Sequence, residues 1–208
     1  MSPLGTKASR AFTLVELLVG ATLSAAIMAA VLSSYIYLGR SMGRLTNQQS
    51  LETEARRTLA YFTQDVQSAS GLTDTANLGA TRVSLIVPAS TGTNTITYYY
   101  NNTAADLPVT ISGTSVNMQA NALTRCVYNG TAITSQLLLR NIAANGLALK
   151  YYDGSGREYA SYTNYLLGIK QLALQFSTQT GTAGNGTQTL VYQGSSSRLI
   201  MRNKAFLP

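Results

Sequence analysis

One carboxylate in this sequence stands where its charge is expensive. Glu16 lies inside the apolar stretch Phe12-Thr13-Leu14-Val15-Glu16-Leu17-Leu18. A carboxylate held at bilayer depth costs on the order of 2–3 kcal/mol, less near the interface, so it calls for a partner. A chain cut before Phe12 would carry a new α-amino group one helical turn from that acid. The amine of one copy can then pair with Glu16 of its neighbour as subunits stack. The competing reading is a Glu16 at the interface that reaches water along its own side chain.

Little other chemistry is legible. The sequence has no histidine, which removes a Ser-His triad, a Cys-His pair and any histidine-bearing metal site. Beyond residue 70 the acids thin out to Asp74, Asp106, Asp153 and Glu158, with no spacing that converges a catalytic carboxylate pair. No catalytic residue, metal site or cofactor is therefore expected, and the chain reads as a non-enzyme. The run from Asp153 to Glu158 faintly matches a calcium loop, but a tight hairpin explains the same residues with fewer ligands. Tyr98-Tyr99-Tyr100 reads as a strand with alternate rings buried and exposed, ahead of an aromatic binding surface. The glycines show no phosphate-cradling pattern. Cys126 is the single cysteine, so no disulfide forms within the chain, and a small buried hydrophobe is expected there.

The formal charge of +7 comes from 15 Lys and Arg against 8 Asp and Glu. From Arg40 to Lys204 the cations are scattered singly, adjacent only at Arg56-Arg57. A nucleic-acid interface needs a clustered basic stripe, so no nucleic-acid partner is expected.

The elements that would position Glu16 follow from hydropathy. Leu17 to Gly39 carries no charged residue. At about 1.5 Å per residue this run spans roughly 34 Å, enough to cross a hydrocarbon core. Lys7 and Arg10 ahead of it favour a cytoplasmic N-terminus, although Arg40 and Arg44 behind it weaken the asymmetry. A secretory signal cut near Ser24-Ala25-Ala26 or Ala29-Ala30 is the rival. The length of the run, Glu16 inside it and the helical pattern beyond it stand against that. Leu51, Ala55, Leu59, Phe62, Val66 and Ala69 continue at helical spacing, supported by Glu52–Arg56 and Glu54–Arg57. The spacing predicts one helix from Phe12 to Ser70, stopped at Gly71, with Gly39 and Gly43 as its softest points.

Arg10-Ala11-Phe12-Thr13-Leu14-Val15-Glu16 ahead of an apolar run resembles the signal of type IV prepilins. The resemblance implies a leader removed by a prepilin peptidase between Ala11 and Phe12. It further implies N-methylation of Phe12 and Glu16 as the assembly acid. Ala11 departs from the family's usual glycine but remains small.

From Thr81 the period shifts towards two. Arg82–Pro88, Asn94–Asn101, Thr114–Gln119 and Asn121–Gly130 read as strands. Residues 146–162 read as a hairpin turning at Asp153-Gly154, with Leu147, Leu149 and Tyr151 on one face. Leu172, Leu174 and Phe176 alternate in the next strand, and Ser195–Lys204 reads as the last. Gln179–Gly186 reads as a loop. The expected fold is α+β: a long N-terminal helix, transmembrane in its first half, packed on an antiparallel β-sheet domain. Its parts would be a leader over 1–11, the transmembrane or assembly half over 12–39, the amphipathic half over 40–70 and the β-rich exported domain over 71–208.

A second, looser resemblance covers most of the chain. The stretches EARRTLAYFTQDVQSASGL, ALTR, LLLRNIAANGLALKYYDGSG and RLIMRNKAFLP are similar to the group of minor pilin W and type II secretion pseudopilin J. Where that group usually carries a basic residue after Asp65-Val66, this chain has Gln67. The resemblance implies a subunit that helps initiate or cap a type IV pilus or a type II secretion pseudopilus. Its partners would be prepilin peptidase, other minor and major pilins or pseudopilins, and the bacterial inner membrane. It would cross that membrane once, globular domain outside the cytoplasm, until it enters the filament. The alternative is an exported adhesin or binding protein that keeps its anchor permanently.

Overall fold

The computed structural model describes residues 13–73, 78–90, 92–159, 168–180 and 190–204. Helix α1 runs over Leu14–Ser68 and is unbroken at Gly39 and Gly43. It starts two residues later than the spacing predicts because Thr13 serves as its cap. It also ends short of Gly71. The Ser70 amide turns instead to the Ile86 carbonyl at 2.8 Å, and Gly71 begins a strand. The chain forms two compact units, 1–46 and 47–208.

In the first unit the described residues from Leu14 onward are helical, and large apolar side chains stand exposed along their whole length. α1 is long and apolar enough to cross a membrane by length and composition, and none of its apolar window is buried. Such exposure in water is costly at about 25 cal/mol per Å², so this segment is built for an apolar surrounding.

In the second unit, α1 residues from Asn47 lie against antiparallel sheets. The strands are β1 Gly71–Leu72, β2 Arg82–Ala89, β3 Gly92–Asn101, β4 Leu107–Ile111, β5 Thr114–Met118, β6 Ala122–Tyr128, β7 Ile133–Leu139, β8 Ile142–Tyr152, β9 Gln171–Thr180, β10 Leu190–Ser195 and β11 Leu199–Ile200. One sheet has the order β1-β2-β3-β6-β7. A second is centred on β9, which pairs with β8, β10 and β11. Strands β4 and β5 form a separate hairpin inserted between β3 and β6. Its two-residue loop is Ser112-Gly113, with φ of 48° and 83°, the left-handed pair that matches strand twist. The fold is thus α+β, as expected.

The alternation read for β8 and β9 holds: Leu147, Leu149, Tyr151, Leu172, Leu174 and Phe176 are all buried. They join Ala55, Phe62, Val66, Leu85, Tyr98 and Leu123 in one core. Tyr98 and Tyr100 point into it, while Tyr99 packs on the opposite face with Ile111, Met118 and Cys126. The expected helix face is buried at Leu51, Ala55, Phe62, Val66 and Ala69, with two polar additions and one weaker member. Thr58 and Asp65 are buried on it, whereas Leu59 is half-buried. Polar residues enter because each has a partner; the Thr58 hydroxyl lies 2.7 Å from the Glu54 carbonyl. Arg56 pairs with Glu52 at 2.6 Å as spaced, but Arg57 turns its guanidinium over the Tyr61 ring instead of towards Glu54.

Three segments depart from the expected strands. The turn at Asp153 is followed by a single bridge, Tyr152 to Glu158, and 160–162 lie outside the described residues. The Asp153 carboxylate accepts from the Arg157 amide and the Ser155 hydroxyl, which closes the turn. Gln179 and Thr180 extend β9 and pair with Val191 and Leu190; the rest of the expected loop, 181–186, lies outside the described residues. The last predicted strand is split: Ser195 closes β10 opposite Gln175, and Leu199 and Ile200 form β11.

Cys126 is 1% exposed, and burial pushes its thiol up to about 11. The thiolate is the nucleophile, so folded protein at pH 8 should resist iodoacetamide and label fully once unfolded in urea. Stoichiometric labelling of the folded chain would contradict this packing.

Candidate functional site

Two carboxylates frame the candidate site, one at each end of α1. Ala11 and Phe12, the expected cleavage and methylation positions, lie outside the described residues. Thr13 and Glu16 form a capping box at the start of the helix. The Thr13 amide and hydroxyl each donate to Glu16 Oε2 at 3.0 Å, and the Glu16 amide donates back to Thr13 Oγ1 at 3.3 Å. A threonine at the cap with glutamate three residues on satisfies helix-start donors that have no intrahelical partner. Both bonds from Thr13 fall on the same oxygen. Among the described residues Glu16 Oε1 makes no hydrogen bond, and the residue is exposed. The spacing Thr-x-x-Glu is the sequence signal for this box.

The second carboxylate was not singled out from the sequence as functional. Asp65 sits on the buried face of α1, one turn beyond Phe62. Arg125 of β6 donates to it twice, Nε to Oδ2 at 2.6 Å and Nη2 to Oδ1 at 2.9 Å. The Tyr98 hydroxyl of β3 donates to the same Oδ2 at 2.6 Å. Tyr98 and Arg125 are direct cross-strand partners, so strand register delivers both donors to one point. Around this centre the Phe62 ring meets Tyr98 edge-on at 5.3 Å, and the Arg125 guanidinium lies 5.2 Å from the Tyr61 ring. Burial, and then the Asp65 charge, push the Tyr98 phenol well above its usual range. The phenol is therefore a fixed donor throughout the physiological range.

This cluster is held, not poised. Every oxygen of Asp65 is engaged. Open clefts among the described residues are found at other side chains. One of about 530 Å³ is lined by Asn145, Gln175, Ser177, Gln193 and neighbours, none of them titratable. Another of about 540 Å³ has Asp106 as its one ionisable residue, and that carboxylate accepts the Ala120 amide at 2.9 Å. Among the described residues no three of His, Cys, Asp and Glu group to hold a metal ion.

No protein-family model, curated protein or solved structure matches the chain. The geometry alone then carries the functional argument. It shows an apolar, membrane-compatible helix bearing an acid at its start, and a β-sheet domain locked to the helix's far end by a buried ion pair.

Asp65→Ala strands Arg125 without its counter-charge and should cost about 3–5 kcal/mol in urea unfolding of the full chain in detergent. Replacing both partners, Asp65→Leu with Arg125→Met, should recover most of that loss. Tyr98→Phe removes one charge-assisted hydrogen bond and should cost about 1.5–3 kcal/mol. A silent Asp65→Ala would show that the cluster does not hold the helix.

Proposed function

We propose that this chain is a pilin-like assembly subunit, a minor pilin or pseudopilin that helps initiate or cap a type IV pilus or a type II secretion pseudopilus. It is made as a prepilin, cut between Ala11 and Phe12 by prepilin peptidase and methylated on Phe12. It then stays in the inner membrane through α1 until assembly, with its β-sheet domain outside the cytoplasm. It acts by packing, not by catalysis.

The observation that carries this reading is the placement of Glu16. The acid opens an exposed apolar helix whose next cation is Arg40, so its own segment offers it no counter-charge. Thr13 engages only one of its oxygens. An α-amino group at Phe12 of a neighbouring subunit would supply the missing charge, and cleavage is what creates that group. In a low-dielectric surrounding such a pair sets register, because each subunit is stable only where its acid finds the next amine. The rest of the architecture fits the same role. The apolar side chains exposed from Leu14 to Leu45 need either lipid or other helices around them.

Glu16→Val removes the charge and leaves the span intact. The variant should still be processed and membrane-bound, while its incorporation into filaments falls roughly tenfold or more, the factor that accompanies about 1.4 kcal/mol. Quantitative blotting of sheared filaments against membranes reads this ratio. Unchanged incorporation would remove Glu16 from the mechanism.

A further inference from the structure

At the far end of the apolar run the helix changes character within two turns. Tyr35 and Tyr37 are 72% and 74% exposed. Arg40 and Arg44 follow, both exposed, four residues apart on one helical face. Tyr37 lies on the same side, three residues before Arg40. Like charges at that spacing repel and weaken a helix unless an anion answers them. None is at hand in the segment: between Glu16 and Glu52 the sequence contains no acid. Among the described residues neither arginine takes part in an ion pair. The Glu52 carboxylate is already held by Arg56 at 2.6 Å.

We propose that Tyr37, Arg40 and Arg44 form a collar that binds phosphate headgroups of anionic phospholipids where the apolar run of α1 leaves the bilayer. The chemistry matches at each position. Tyrosine places its ring at the hydrocarbon boundary and its hydroxyl among the headgroups. Arginine presents a planar fork that takes a phosphate through two parallel hydrogen bonds. The rise of about 1.5 Å per residue sets Arg40 and Arg44 about 6 Å apart along the axis, within the depth of a headgroup layer. The pair would hold the anchored subunit at a fixed depth, and the lipids would have to be shed when the helix leaves the bilayer.

The inference rests on the membrane-spanning reading of α1, and the test separates the two. The full chain is reconstituted in vesicles of mixed phosphatidylglycerol and phosphatidylcholine, then extracted in mild detergent, and the lipids that stay with it are measured by mass spectrometry. Wild type should retain phosphatidylglycerol several-fold above its bulk proportion, about fivefold for each cation at an anionic surface. Arg40→Gln with Arg44→Gln should bring the ratio back to bulk, and Arg56→Gln should leave it unchanged. Bulk lipid composition around the wild type, or enrichment that survives the double substitution, would overturn the proposal. Alkaline extraction of the same vesicles reports the span: protein that stays in the membrane without enrichment defeats the collar alone, whereas protein that is released defeats the spanning reading as well.

Discussion

A charged carboxylate on the buried face of a helix is tolerated only where the opposing surface brings a cation and hydrogen-bond donors to meet it. Asp65 is met by Arg125 and Tyr98, which lie directly opposite each other on β6 and β3. The three residues come from segments far apart in sequence, so the cluster forms only when helix and sheet are in one relative position. A purely apolar face would let the helix slide or rotate with modest penalty. Here a displacement of one residue would leave a desolvated charge without its partner, a loss of several kcal/mol. The surrounding rings make the position stricter still, since Phe62 meets Tyr98 edge-on and Tyr61 lies against Arg125.

The acid at the start of α1 has the opposite status. Asp65 is saturated, while Glu16 is half used, exposed and at the helix start. One carboxylate ties helix to sheet, and the other keeps an oxygen that makes no hydrogen bond among the described residues. Among the described residues of the β-sheet domain, one cleft is lined by amides, hydroxyls and apolar groups, and the Asp153 carboxylate closes a turn.

What could be read from the residues depended on whether the signal was local. The long helix, the buried alternation of β8 and β9, the split of Tyr98 and Tyr100 from Tyr99, and the burial of Cys126 all follow from period and side-chain type. Short pairings did not show. β1 and β11 are two residues each and exist only because a neighbouring strand offers its edge. β4 carries Pro108, which argues against a strand until its hairpin partner is known. β7 begins with Thr134 and Ser135 exposed and lacks a clean alternation. Thr58 and Asp65 carry no apolar signal on the helix stripe, and a buried acid becomes recognisable only once Arg125 is seen across from it. The capping box at Thr13 and Glu16 was legible as a spacing. Its geometry adds that both Thr13 bonds fall on Oε2 and that Oε1 takes none among the described residues.

The pairing proposed for Glu16 requires a working protein that begins with an N-methylated phenylalanine next to this acid. Intact mass and N-terminal sequencing of the chain purified from membranes decide it directly. The account predicts a mature protein lacking residues 1–11 and starting at N-methylated Phe12. A chain that still starts at Met1, or one cut well inside the apolar run, would contradict it.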